Sequence, residues 1–292
     1  MPWIACALLA IAADCDCTAA PASQASAIRG DRWSATSGNF RVTNRHPAQD
    51  AREIAQNCES WRKSLQQFWC DGKCPAWTPR CEIVVHPSQA GYLAAVGAGA
   101  GQTFGSSYIE FAQNKQVKRR QIDFRGDSQH GPASIPHELT HVVLADLLGG
   151  QQPPRWADEG MAILADAQAK RQLHERDLQS GLAQRTAFRA VELLSLEAYP
   201  HPSRVPAFYG QSVSLTSFLV SREKPAKFVA FLRQSAEQGY DTALRDCYAI
   251  ENVHELEQLW HTDRLAKSRE RAEILVAATS DAAVARSISA AE

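Results

Sequence analysis

The chain has 292 residues, 45% of them hydrophobic, enough to bury a sizeable core. Its 31 Lys and Arg nearly balance 32 Asp and Glu, for a formal net charge of −1 and a pI near 6.8. That balance gives no basic footprint for nucleic acid and no field that would seek an anionic membrane surface.

Trp3 to Ala13 is an apolar run of signal-peptide core length, too short to span a bilayer. Small-x-small sites occur at Ala10-Ile11-Ala12 and Ala25-Ser26-Ala27. The second predicts a leader over residues 1–27 and a secreted or periplasmic mature chain starting near Ile28. No Lys or Arg precedes the apolar run, which leaves a cytoplasmic location open. Asp14 before Cys15 is not the small residue that lipidation needs. Of the 8 cysteines, Cys6, Cys15 and Cys17 belong to the leader region, and Cys58, Cys70, Cys74, Cys81 and Cys247 remain. The Cys70–Cys81 segment lacks the paired spacing of a structural metal knot; it holds either a disulfide or free thiols.

Asn39 to Thr43 reads as a first strand, and Ala48 to Phe68 as an amphipathic helix in which Ile54, Trp61, Leu65 and Phe68 recur at helical spacing and face the core. Cys81 to His86 is a strand ended by Pro87, with His86 as a strand-end or surface residue. Gly91 to Gly101 is rich in Gly and Ala and predicts a flexible segment near a cleft. Strands around 103–111 and 119–124 make a hairpin, with Lys118-Arg119-Arg120 at a solvated turn. The stretch Gly101 to Phe111 is either an edge strand over a cleft or an ordinary hairpin strand.

The most informative segment is His137-Glu138-Leu139-Thr140-His141, followed by Glu159 in Trp156-Ala157-Asp158-Glu159-Gly160. On a helix, positions i and i+4 lie on one face about 5–6 Å apart, so both imidazoles can reach one ion. A carboxylate from the next helix completes a His2Glu set with a fourth position open, the mark of catalytic rather than structural zinc. Glu138 is placed to act as the general base. Ser134 is a candidate cap and Pro136 falls in the first turn. Leu139, Val142, Val143, Leu144, Leu147 and Leu148 are apolar on more than one face, so this helix is expected to be buried. Gly149-Gly150 ends it, and Pro153-Pro154 restarts the chain into a second helix over 156–169. Asp158 competes with Glu159 for the third ligand position, but the two point about 100° apart on a helix. Glu159 is the choice, with Gly160 beside it allowing close backbone approach; Asp158 can orient a histidine from behind or favour a helix N-terminus.

These segments resemble the gluzincin metallopeptidases, the group of thermolysin and aminopeptidase N, and in particular the compact peptidase MA-like domains. Such domains carry a Trp, a spacer and Glu-Gly-x-Ala after the zinc helix, matched by Trp156 to Ala162, and a downstream Tyr-x-x-Ser matched by Tyr209-Gly210-Gln211-Ser212. The resemblance covers about residues 80–260. It implies zinc held by His137, His141 and Glu159, catalysis by Glu138, and a Tyr209 that stabilises an oxyanion. The motif that binds a free substrate N-terminus has no counterpart, so an endopeptidase is expected over an exopeptidase.

Beyond residue 133 the pattern is helical, with breaks near Pro200-His201-Pro202 and Pro206, and with helices over Phe208–Val220, Pro225–Gln238 and Asn252–Ala272. The expected fold is α+β and zincin-like: one peptidase domain over 28–275, with a small mixed sheet in its 28–132 lobe, a helical lobe over 133–275 and the metal helix between. Residues 276–292 are Ala- and Ser-rich without apolar periodicity and are expected to be disordered. No transmembrane segment or internal repeat is evident. The expected activity is zinc-dependent hydrolysis of a peptide or protein substrate. The alternatives are a non-catalytic zinc module that binds a peptide or wall polymer, and hydrolysis of a non-peptide amide.

Overall fold

The computed structural model describes residues 27–70 and 75–269. The expected leader apart from Ala27, the tail expected to be disordered, and Cys74 lie outside these residues. Their architecture is α+β: a six-stranded mixed sheet and a set of helices that follow it.

The strands are β1 (Arg29–Gly30), β2 (Ser34–Thr36), β3 (Phe40–Asn44), β4 (Cys81–His86), β5 (Gly105–Phe111) and β6 (Val117–Arg125). They lie in the order β1-β2-β3-β4-β6-β5. β3, β4 and β6 are parallel neighbours; β5 pairs antiparallel with β6 and forms one edge. The register aligns Val42 with Ile83 and Ile83 with Ile122, and because side chains alternate, one face becomes apolar apart from Asn44 and Arg120 at its ends. Phe40, Val42, Cys81, Ile83, Val85, Ile122 and Phe124 on that face are buried.

Helix α1 (Ala51–Trp69) covers this face and provides the crossover from β3 to β4. Ala51, Ile54, Ala55, Cys58, Arg62, Leu65, Gln66 and Trp69 are its buried residues, a stripe at three- and four-residue spacing. Phe68 falls off that stripe and is 47% exposed, correcting its expected place in the core; Trp69 takes the inward position.

Helix α2 (Gln89–Val96) and a 3-10 turn over Ala98–Ala100 replace the flexible segment expected at 91–101. Ser88 caps α2 by accepting from the Gly91 amide. Because α2 covers the second face of the sheet, His86 is buried rather than at the surface. Its Nε2 lies 2.7 Å from Asp123 Oδ1, and its ring packs against Tyr92. The basic cluster is another correction, since it belongs to β6 and not to a turn. Lys118 pairs with Glu110, Arg119 lies over Tyr108, and Arg120 is buried against Asp146 and the Pro79 carbonyl.

A short α3 (His130–Ala133) leads into α4 (Ile135–Leu147), which is buried on nearly every side between sheet and helices. Ser134 makes no capping bond; its hydroxyl donates instead to the Gly131 carbonyl at 2.6 Å. Gly149 and Gly150 end the helix with φ of 61° and 76°, and the Gly150 amide returns to the Ala145 carbonyl. Next come α5 (Arg155–Leu164), shorter than the expected 156–169, α6 (Gln168–Ala183), α7 (Ala190–Leu194) and α8 (Val205–Arg222). Pro206 sits in the first turn of α8, where its missing N–H is harmless, so it starts a helix rather than breaking one. α9 (Pro225–Gln238), α10 (Tyr240–Tyr248) and a helix over 253–269 complete the described chain. Among the described residues no helix is long and apolar enough to cross a membrane.

Candidate metal centre and cleft

His137 and His141 sit one turn apart on α4, their ring centroids 5.0 Å from each other. α5 folds back against α4 and brings Glu159 opposite them. One ligand atom from each of the three residues lies within 4.8 Å of the others. The carboxylate Oε2 of Glu159 is 3.7 Å from His137 Nε2. The edge of a tetrahedron with 2.0–2.1 Å bonds is about 3.4 Å, so the three side chains could hold a metal ion.

Each imidazole is fixed from behind. His141 Nδ1 lies 2.6 Å from Asp158 Oδ1, and His137 Nδ1 lies 3.0 Å from Asp166 Oδ2. These contacts leave Nε2 of both rings for a ligand role. Asp158 and Glu159 thus divide as their 100° separation requires: one acts behind a histidine, the other beside the pair. Asp166 also holds Lys170 at 2.9 Å. Burial alone would raise the Asp166 carboxyl, but His137 and Lys170 outweigh it and lower its pKa. Burial likewise lowers His141, yet the charge and hydrogen bond of Asp158 raise it to about 10.

Close packing locates Glu159. Gly160 faces α8, where a Cβ would overlap Thr216 Oγ1 and come within 2.6 Å of the Ser212 carbonyl oxygen. Only glycine lets the two helices approach this far. Ser212 of the Tyr-x-x-Ser element is therefore buried at the α5–α8 contact. The Tyr199 hydroxyl, from the loop between α7 and α8, donates to Glu159 Oε1.

Glu138 is buried to 8% exposure yet lines the cleft beside the histidines. It rests against Gly105 of β5, where a Cβ would lie 2.9 Å from Glu138 Cγ. Tyr209, in the second turn of α8, lines the same cleft, its ring 6.3 Å from that of Tyr199. Burial, and then the charge of Glu159, push both phenols up, so both remain hydrogen-bond donors at neutral pH. The cleft encloses about 380 Å³, with β5 forming one wall. Edge strand is therefore the reading of 101–111 that the sheet order supports.

All five sequence-derived site residues, His137, Glu138, His141, Glu159 and Tyr209, line this one cleft. Asp166, Tyr199 and Gly105 were not anticipated. Asp166 follows Glu159 by seven residues, two helical turns, which is the signal that could have exposed it. Tyr199 lies in a loop without periodicity, and no sequence pattern marks it. Among the described residues, Cys58, Cys70, Cys81 and Cys247 are free thiols; burial raises the thiol pKa of Cys58, Cys81 and Cys247. Comparison with known protein families, curated proteins and solved structures finds no match to this chain.

Proposed function

We propose that the chain is a zinc-dependent peptidase of zincin-like architecture, acting as an endopeptidase. The observation that carries this reading is the convergence of His137, His141 and Glu159 in an open cleft, with Glu138 alongside. Binding a metal does not require Glu138, whereas hydrolysis requires a base at that place.

Zinc, when bound, supplies Lewis acidity that activates water and polarises a carbonyl. Glu138 accepts the proton of the attacking water and delivers it to the departing amine. Gly105 leaves room for that carboxylate between β5 and α4. Tyr209, kept neutral, donates a hydrogen bond to the carbonyl oxygen as negative charge develops on it, a contact whose loss typically costs on the order of 3 kcal/mol. Tyr199 holds Glu159 in place. The free edge of β5 offers backbone groups with which an extended substrate pairs.

The test is incubation of pure protein with a mixed peptide library, with and without chelator. Internal cuts that vanish with chelator and return with zinc are expected. Intact peptides alongside a full complement of zinc would refute the reading.

A further inference from the structure

Arg155 is the one permanent cation among the side chains that line the cleft. Other arginines are committed elsewhere: Arg120 and Arg125 to carboxylates, Arg204 and Arg233 to backbone carbonyls. The guanidinium of Arg155 lies 5.1 Å over the Tyr199 ring, and among the described residues it makes no ion pair. It also opens α5, the helix end at which the backbone dipole disfavours a positive charge. Neither pairing nor the dipole accounts for a cation here.

Its position suits a ligand. The Tyr199 ring that it covers lies 6.3 Å from that of Tyr209, and all three side chains line the cleft, so Arg155 is on the side of the proposed oxyanion contact. It lines the cleft and also an adjoining, mainly apolar hollow of about 500 Å³ that includes Leu194 and Leu196. A chain crossing the metal site toward that hollow passes the guanidinium. The other acidic groups around it, Glu138, Asp158 and Glu159 in the cleft and Glu197 in the hollow, repel anions, so Arg155 alone can attract one.

We propose that Arg155 is a specificity residue that takes a carboxylate of the substrate, so that this site acts on peptides with an acidic group close to the scissile bond. This rests on the peptidase reading. A guanidinium fork matches a carboxylate through two parallel hydrogen bonds. The carboxylate belongs either to an Asp or Glu side chain or to a peptide C-terminus.

Zinc-loaded full-length protein is assayed with peptide pairs that differ only by Glu against Gln, and with pairs that differ only by a free against an amidated C-terminus. Dissociation constants of dipeptide hydroxamates with the same two substitutions give a readout independent of turnover. In one of the two pair types the charged member is expected to be favoured on the order of 10- to 100-fold, as for hydrogen bonds to charged groups. The pair that shows it identifies the carrier. Arg155→Met reduces the ratio to within about twofold in both readouts, and Arg155→Lys leaves an intermediate ratio. Equal treatment of both members in both pair types, or a preference that survives Arg155→Met, overturns the proposal. Hydroxamates that discriminate through Arg155 while every peptide stays intact would refute the peptidase reading alone. A protein that takes up no zinc overturns both.

Discussion

Replacing Asp158 with Asn reduces the proton release that accompanies zinc entry at neutral pH. His141 is held protonated up to about 10 because the Asp158 charge, supported by Glu159 and Glu138, outweighs the burial that pushes the ring down. A histidine ligand must be neutral, so zinc has to displace that proton. At pH 7 His141 of the metal-stripped protein is therefore mostly protonated, and displacing that proton weakens apparent zinc affinity. His141 alone contributes one released proton per ion and about a tenfold rise in apparent zinc affinity per pH unit, beside any proton lost by a zinc-bound water. The same shift sets the sign for folding. Because the pKa is raised from 6.5, protonated His141 stabilises the metal-stripped chain fully below pH 6.5, and this is lost as pH rises through about 10. In the Asp158→Asn protein the largest upward influence on His141 is gone, so its pKa falls and less of the ring is protonated at pH 7. Affinity itself changes for two opposing reasons, since losing the carboxylate behind the ring also weakens zinc typically 10- to 100-fold. The slope is thus the clean readout. Calorimetric zinc titrations in buffers of different ionisation enthalpy between pH 6.5 and 9 measure it. A wild-type protein that releases no proton at pH 7.5, or an Asp158→Asn protein with an unchanged slope, refutes the reasoning.

Further outcomes separate the roles of the other residues. Glu138→Gln keeps zinc in elemental analysis but lowers kcat on the order of 10²- to 10⁴-fold, while His141→Ala loses the metal. Gly160→Ala forces α5 away from Thr216 and the Ser212 carbonyl; thermal melts should show a loss of about 1–3 kcal/mol together with weakened zinc retention. Tyr209→Phe lowers kcat on the order of 100-fold at unchanged zinc affinity, whereas Tyr199→Phe, by releasing Glu159, weakens zinc when measured against a competing chelator.

The sequence disclosed the parts of this molecule that depend on local periodicity or on rigid spacing. The α4 histidine pair is legible because four residues make one turn, and Glu159 because a Gly-Gly stop and a Pro-Pro restart force a hairpin. The stripe on α1 and the apolar strand β4 are legible for the same reason. What stayed hidden depends on partners distant in the chain. His86 looks like a strand-end residue until α2 is seen to cover that face and Asp123 to meet it from β6. Arg120 looks solvated until Asp146, on α4, is brought beneath it. Tyr199 reaches Glu159 from across 40 residues of chain, a distance at which local patterns carry no information. Phe68 is the opposite case: its helical spacing points inward, yet its neighbour Trp69 occupies the buried position.

The central claim is a single divalent ion shared by two helices. An anomalous difference map collected at the zinc absorption edge from protein loaded with one equivalent of zinc tests it directly. One peak is expected, about 2.0–2.2 Å from Nε2 of His137, Nε2 of His141 and a carboxylate oxygen of Glu159. A peak on other residues, or none at that point, contradicts the account.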